Sequence, residues 1–377
     1  MTRAIGIDPG TLSFDVCGRD GDELFLDATY PTADVRDDPE SLVEVLRGAA
    51  GPVDLVVGPS GYGLPWTDVR DLGPEDLDLL LLADAGDGPR GTIIGGMGRV
   101  LKALKESGLP VCFAPGVLQL TTVPEHRKAN RIDMGTADKL CAVALAVWDQ
   151  ARRLDLPYDE TSFVSVEAGG AFTAVVAVER GAIVDGLGGT CGAMGFRALG
   201  AMDGELAYLL RDFPKDVLAS GGAAWIAGAP ECSPEEFALA AASDGRAALA
   251  LAALLEDVAK SVAAESILLE APLEILLSGR LTRVPELRRR LVDALSRFAP
   301  VHVVSGYARV CSEAAQGAAL LGQGLAGDGD LSDLVDAMGL RSACGCVLDH
   351  LFVSEAESVR RRHPLPRRPQ VPFWERS

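Results

Sequence analysis

Two short turns in the sequence carry residues suited to handling phosphate. In the first, Asp8-Pro9-Gly10-Thr11 with Ser13 close behind, a strand ends on a carboxylate and runs into small and hydroxyl residues. Backbone N–H groups in such a turn form a concave anion site. Gly10 lets a phosphate approach the chain, and Thr11 and Ser13 can donate hydrogen bonds. Asp8 can hold Mg2+ through water, because that ion keeps much of its hydration shell. Read alone, Asp-Pro-Gly is equally an ordinary turn. The second, Glu167-Ala168-Gly169-Gly170 followed by Thr173, repeats the logic: a carboxylate closes the strand and two glycines open the backbone. Its plainer reading is a hairpin. The pair says more than either member, since two such turns facing each other would clamp a polyphosphate from both sides.

Three further segments could complete a site. Ile275-Leu276-Leu277 runs into Ser278-Gly279-Arg280, a strand-to-helix turn where a base and ribose can lie against backbone, and Gly221-Gly222 could line the same cleft. The run Gly58-Pro59-Ser60-Gly61-Tyr62-Gly63 places Ser60 and Tyr62 after a buried strand, where open α/β sheets seat their ligands. Residues 126–139 concentrate Arg127, Lys128, Arg131 and Lys139 beside Asp133 and Asp138. Such a local cationic run before a helix suits a carboxylate or phosphate, and a solvated loop with helix-capping charges is the alternative.

The elements that must position these residues alternate between strands and helices, an α/β pattern. Residues 3–8, 13–17 and 23–30 read as a β-meander, 39–49 as a helix and 53–57 as a compact buried strand. A helix over 93–107, a short strand at 110–114 and a long helix over 136–154 follow. At Phe163 the meander begins again, with the same order of acidic residue, small-residue turn and two more strands. An Ala-rich helical stretch spans 234–268, then a strand (273–277), a helix (284–298), a strand (301–304) and a helix (312–325). Residues 359–377 hold six Arg against one Glu, and their Pro and Arg density predicts an extended segment that packs on the acidic body or contacts a partner.

That body is acidic indeed: the 377 residues carry a formal net charge of −19, which argues against a nucleic-acid partner. The 48% hydrophobic content provides a real core, and no stretch is apolar enough for a signal peptide or a membrane span, so a cytoplasmic protein is expected. Eight scattered cysteines match no paired zinc framework and read as reduced thiols.

The order of these motifs resembles the superfamily of acetate and sugar kinases, heat-shock chaperones and actin. It is carried by the phosphate turn within 6–17, the helix at 136–154, the second turn within 164–175, Leu-Ser-Gly-Arg at 277–280 and AAQGAALLGQG at 314–324. The words MGTADKL (134–140) and VVGPSGYG (56–63) resemble more narrowly the family of predicted butyrate kinases. The resemblance spans residues 3–325. It implies two ribonuclease-H-like (actin-like ATPase) domains, 1–160 and 161–326, closing a cleft over Mg-ATP, with an extension at 327–377. One departure stands out: many members have Asp in the second turn, where this chain has Glu167, one methylene longer.

These readings imply an ATP-dependent phosphotransferase for a small acidic metabolite such as a short-chain carboxylate, with ATP and Mg2+ as cofactors. A carboxylate acceptor needs no general base, whereas a hydroxyl acceptor would draw on Asp8 or Glu167. No membrane partner is expected, and a homodimer is left open. The rival reading is an ATP-dependent switch or partner-coupled ATPase. It would lack an obvious peptide-binding domain.

Overall fold

The computed structural model describes residues 2–10, 12–49, 51–58, 62, 64–82, 92–270, 274–327 and 329–363. Its contacts divide the chain into two compact units, one of 1–132, 136–159 and 305–377 and the other of 133–135 and 160–304. Residues 305–326, expected with the second domain, therefore pack with the first unit, as do the described residues of the 327–377 extension.

The first unit is built on a six-stranded sheet ordered β3-β2-β1-β4-β6-β5. Its strands are β1 (Arg3–Pro9), β2 (Ser13–Asp20), β3 (Glu23–Pro31), β4 (Leu55–Gly58), β5 (Thr67–Asp68) and β6 (Val111–Phe113). The meander β1-β2-β3 is antiparallel, and β4 runs parallel to β1. All four residues of β4 are buried, as a parallel strand covered on both faces requires. The helix Ala137–Leu154 buries most of one face here, and the helix Glu313–Ala326 lies against it. A side chain at Gly317 would strike the Cys141 carbonyl, so the two helices meet backbone to backbone. That contact accounts for the small residues of AAQGAALLGQG.

The second unit repeats the plan. Its sheet, ordered β11-β10-β7-β8-β9, comprises β7 (Phe163–Ala168), β8 (Thr173–Glu179), β9 (Ala182–Leu187), β10 (Glu274–Ser278) and β11 (Val301–Val303). Again the first strand has an antiparallel meander on one side and two parallel strands on the other. The correspondence extends to register. The first hairpin closes on the pair Pro9↔Phe14 and the second on Ala168↔Thr173, leaving four-residue loops in both. Ladder irregularities at Gly18/Arg19 and Ala177/Val178 fall at the same distance past Asp8 and Glu167. The internal duplication expected from the sequence is thus present down to a β-bulge.

Two expectations need correction. The stretch 234–268 is two helices, Pro234–Ala240 and Gly245–Ser266, because the Asp244 carboxylate accepts the Arg246 and Ala247 N–H groups and starts a new helix. Residues 359–362 of the tail are helical rather than extended, within Ala356–Arg362. The Arg360 guanidinium fastens that helix to the carbonyls of Leu348 and Leu351. Residues 364–377 lie outside the described residues. All eight cysteines are free thiols, and among the described residues no helix is long and apolar enough to cross a membrane.

Candidate active site

The first turn gathers charge. Asp8 is half-buried at the end of β1, and the ladder sets Asp15 directly across from it. The Ser312 hydroxyl donates to Asp8 Oδ2 at 2.7 Å, and the Ser13 hydroxyl donates to Asp15 Oδ2 at 2.9 Å. Burial, and then the charge of nearby Asp138, push the Asp8 carboxyl up to about 8 against the pull of Ser312 and Lys139. Asp138 goes the other way. Burial works against its charge, but the Lys139 ammonium 2.8 Å away and the Thr136 hydroxyl hold it below the usual carboxylate range. Asp138 also lines a hollow of about 10 Å3 with Ile7, Pro9, Ala137, Cys141 and Ala314, room for one water.

This donor set suits a hard cation, being carboxylate and hydroxyl oxygen. Among the described residues no cluster of three ligating groups closes around an ion.

The second turn has the same backbone and a different content. Gly169 N–H donates to the Phe172 carbonyl at 3.0 Å, closing the hairpin. A Cβ at Gly169 would lie 2.8 Å from that oxygen, and a Cβ at Gly10 would lie 2.8 Å from the Ser13 carbonyl. Both glycines are thus demanded by the turn itself, whatever else approaches it. Thr173 is fully buried, and its hydroxyl has no hydrogen-bond partner among the described residues. Ser278 pairs with Glu167 in the β10–β7 ladder, and Gly279, at φ +92°, packs on Ala168, where a Cβ would come within 2.5 Å of its carbonyl. Glu167, Gly169, Gly170, Thr173, Ser278 and Gly279 therefore form one neighbourhood.

Gly221 and Gly222 support this turn from behind. Gly222 lies against the backbone of Gly195 and Arg197, and the N–H groups of Arg197 and Ala198 donate to Ala171 in the loop. Arg280 is at the surface, paired with Glu235 at 3.2 Å, both about half exposed. Such a pair contributes little to stability.

The expected substrate residues separate. Asp133 is buried in the second unit, where Oδ2 accepts the Thr190 N–H (2.9 Å) and hydroxyl (2.8 Å) and Oδ1 accepts the Gly135 N–H. It braces the loop at 188–191. Lys139 belongs to the Asp8 cluster through Asp138. Lys128 turns inward, its ammonium donating to the Leu120 carbonyl at 2.7 Å, so the cationic run is weaker than its composition suggests. Arg131 is exposed and Arg127 half-buried, at the end of the single helical turn Glu125–Lys128. Tyr62 is anchored by its backbone to Leu80 and Gln119. Thr11 and Ser60 lie outside the described residues.

Sequence reasoning missed Ser312 and Asp15. The Asp15 position follows from a four-residue hairpin, which fixes Asp8 opposite it. Ser312 carries only a helix-capping signal, Ser-Glu-Ala-Ala, which says nothing of what its hydroxyl meets.

A family model described as "Protein of unknown function (DUF1464)" matches residues 6–353. No curated protein matches the chain. Among solved structures, a propionate kinase from Francisella tularensis subsp. tularensis SCHU S4 superposes with TM-score 0.62 at 14% identity, covering 84% of this chain and 99% of that one. An acetate kinase from Porphyromonas gingivalis gives 0.59 at 13% identity, covering 84% and 98%, and one from Entamoeba histolytica gives 0.57 at 10%, covering 78% and 87%. The two-domain α/β fold implied by the duplicated sheets is the fold of these kinases. By the extent of the family match, the chain belongs to the DUF1464 family.

Proposed function

We propose that this chain is an ATP-dependent phosphotransferase for a small acidic metabolite, with short-chain carboxylates, butyrate among them, as the leading acceptor class. The observation that carries the reading is the pair of equivalent hairpins, each with a carboxylate two residues ahead of a glycine held against its own turn carbonyl. The likeness in fold to acetate and propionate kinases supports it. Asp8 would hold Mg2+ through water, and that ion would supply charge neutralisation for the migrating phosphoryl group. Ser312 fixes the Asp8 carboxylate, and Lys139 keeps Asp138 ionised beside it. The second turn, backed by Gly279 and Ser278, offers small residues and backbone where a nucleotide needs close approach. Catalysis is then positioning and electrostatics, with an acceptor carboxylate already ionised.

A hydroxyl acceptor is the second reading, and Asp8 itself favours it. A carboxyl pushed up to about 8 is tuned near neutral pH, where a general base works best. Mg-ATP should raise the melting temperature by mass action. ADP release stimulated by one member of a panel of short-chain acids supports the first reading, and stimulation by hydroxy compounds alone the second. ADP release indifferent to every acceptor contradicts both and favours an ATP-driven switch.

A further inference from the structure

The Asp8 carboxylate is held by a hydroxyl whose own position is set from the far edge of the sheet. Asp27 sits in β3, in register with Cys17 of β2. Its carboxylate accepts three consecutive backbone N–H groups, from Arg309 (2.9 Å), Val310 (3.1 Å) and Cys311 (2.8 Å). Burial works against the Asp27 charge, but those N–H groups outweigh it and hold the carboxyl below its usual range. Three convergent amides form a nest of the kind that binds anions, here filled by the chain's own side chain. Gln316 pins the same loop from the other side, accepting the Ala308 N–H at 3.0 Å and donating to the Cys311 carbonyl.

The next residue is Ser312. Its hydroxyl oxygen accepts the Ala315 N–H at 3.2 Å, capping the helix Glu313–Ala326, while its proton goes to Asp8. We propose that Asp27 and Ser312 are positioning residues for Asp8: the Asp27 clamp on 309–311 delivers the Ser312 hydroxyl to the carboxylate. The assignment rests on the phosphotransferase reading, in which Asp8 faces the metal side of Mg-ATP. It adds a control point at the edge strand, with Asp27 acting only through the loop.

The test separates the helix cap from the contact with Asp8. Glycine caps a helix nearly as well as serine but donates nothing, whereas threonine keeps both functions. By calorimetry, Ser312→Gly and Asp27→Ala should each weaken Mg-ATP binding about tenfold, the scale of a hydrogen bond to a charged group. Binding of ATP in EDTA should stay within about twofold of the parent, and Ser312→Thr should restore Mg-ATP affinity. The double variant should be no weaker than the weaker single, because both act through one path. Asp27→Ala should also speed amide exchange at 309–312. Parent-like Mg-ATP binding in both singles, or losses that simply add, overturns the assignment while leaving the phosphotransferase reading intact. A parent that binds no Mg-ATP contradicts that reading and overturns the assignment with it.

Discussion

The two hairpins share one backbone and differ in what surrounds their carboxylates. At the first, Asp8 stands among Asp15, Asp138, Lys139 and Ser312, and its carboxyl is displaced to about 8. At the second, Glu167 stands beside Ser278 and a fully buried Thr173, with glycines and alanines around it. The repeated fold thus supplies two equivalent turns, one surrounded by charged side chains and the other by small residues. Under the proposed phosphotransferase reading, the first would handle a cation and developing charge and the second would admit a nucleotide. Under the same reading, Glu167 in place of Asp is tolerated, because a turn that serves access would place little demand on its carboxylate.

The division is broken most directly by removing each carboxylate. Asp8→Ala should lower turnover at least ~100-fold, the cost typical of losing one group that stabilises the transition state. Glu167→Gln should cost only about tenfold, the scale of a single hydrogen bond. Equal losses in steady-state kinetics would erase the distinction. Gly170→Val comes next: its branched side chain fills the space at the second turn, so ATP affinity should fall ~10-fold or more with the far-ultraviolet dichroism unchanged. Unaltered affinity would return the turn to a plain hairpin.

A smaller effect separates the turns by pH. Folded Asp8 keeps its proton up to about 8, whereas the unfolded chain releases it near 3.8. The folded state binds more protons between those values, so the Asp8 contribution to stability falls as pH rises through that window. Asp8→Asn removes this loss. Its melting temperature should match the parent near the bottom of the window and exceed it by a growing margin as pH rises toward the top. A constant difference across the window would contradict the displaced carboxyl. The smallest effect belongs to the exposed Arg131, where Arg131→Ala should raise the acceptor KM about threefold and leave ATP binding unchanged. Arg131→Lys should recover part of that, because it keeps the charge without the planar fork. Kinetics equal to the parent in both variants would make Arg131 a surface residue only.

Much of the architecture was legible in the sequence because strand runs ending on Asp8 and Glu167 repeat at a fixed order of turns. A hairpin is a local object, and its residues announce it. The cationic run at 126–139 was less legible. Lys128 and Asp133 look alike as charges in a string, yet one reaches the buried Leu120 carbonyl and the other braces Thr190. Those partners are set by tertiary packing, which charge patterning does not encode. Ser312 was invisible for the same reason, standing 304 residues from the carboxylate it meets.

The fate of the γ-phosphate tests the account most directly. In 31P spectra of the parent incubated with Mg-ATP and each short-chain acid in turn, one acid should yield a new acyl-phosphate resonance alongside ADP, and Asp8→Ala should abolish it. ADP and inorganic phosphate appearing at the same rate with every acid, and with none, would contradict it.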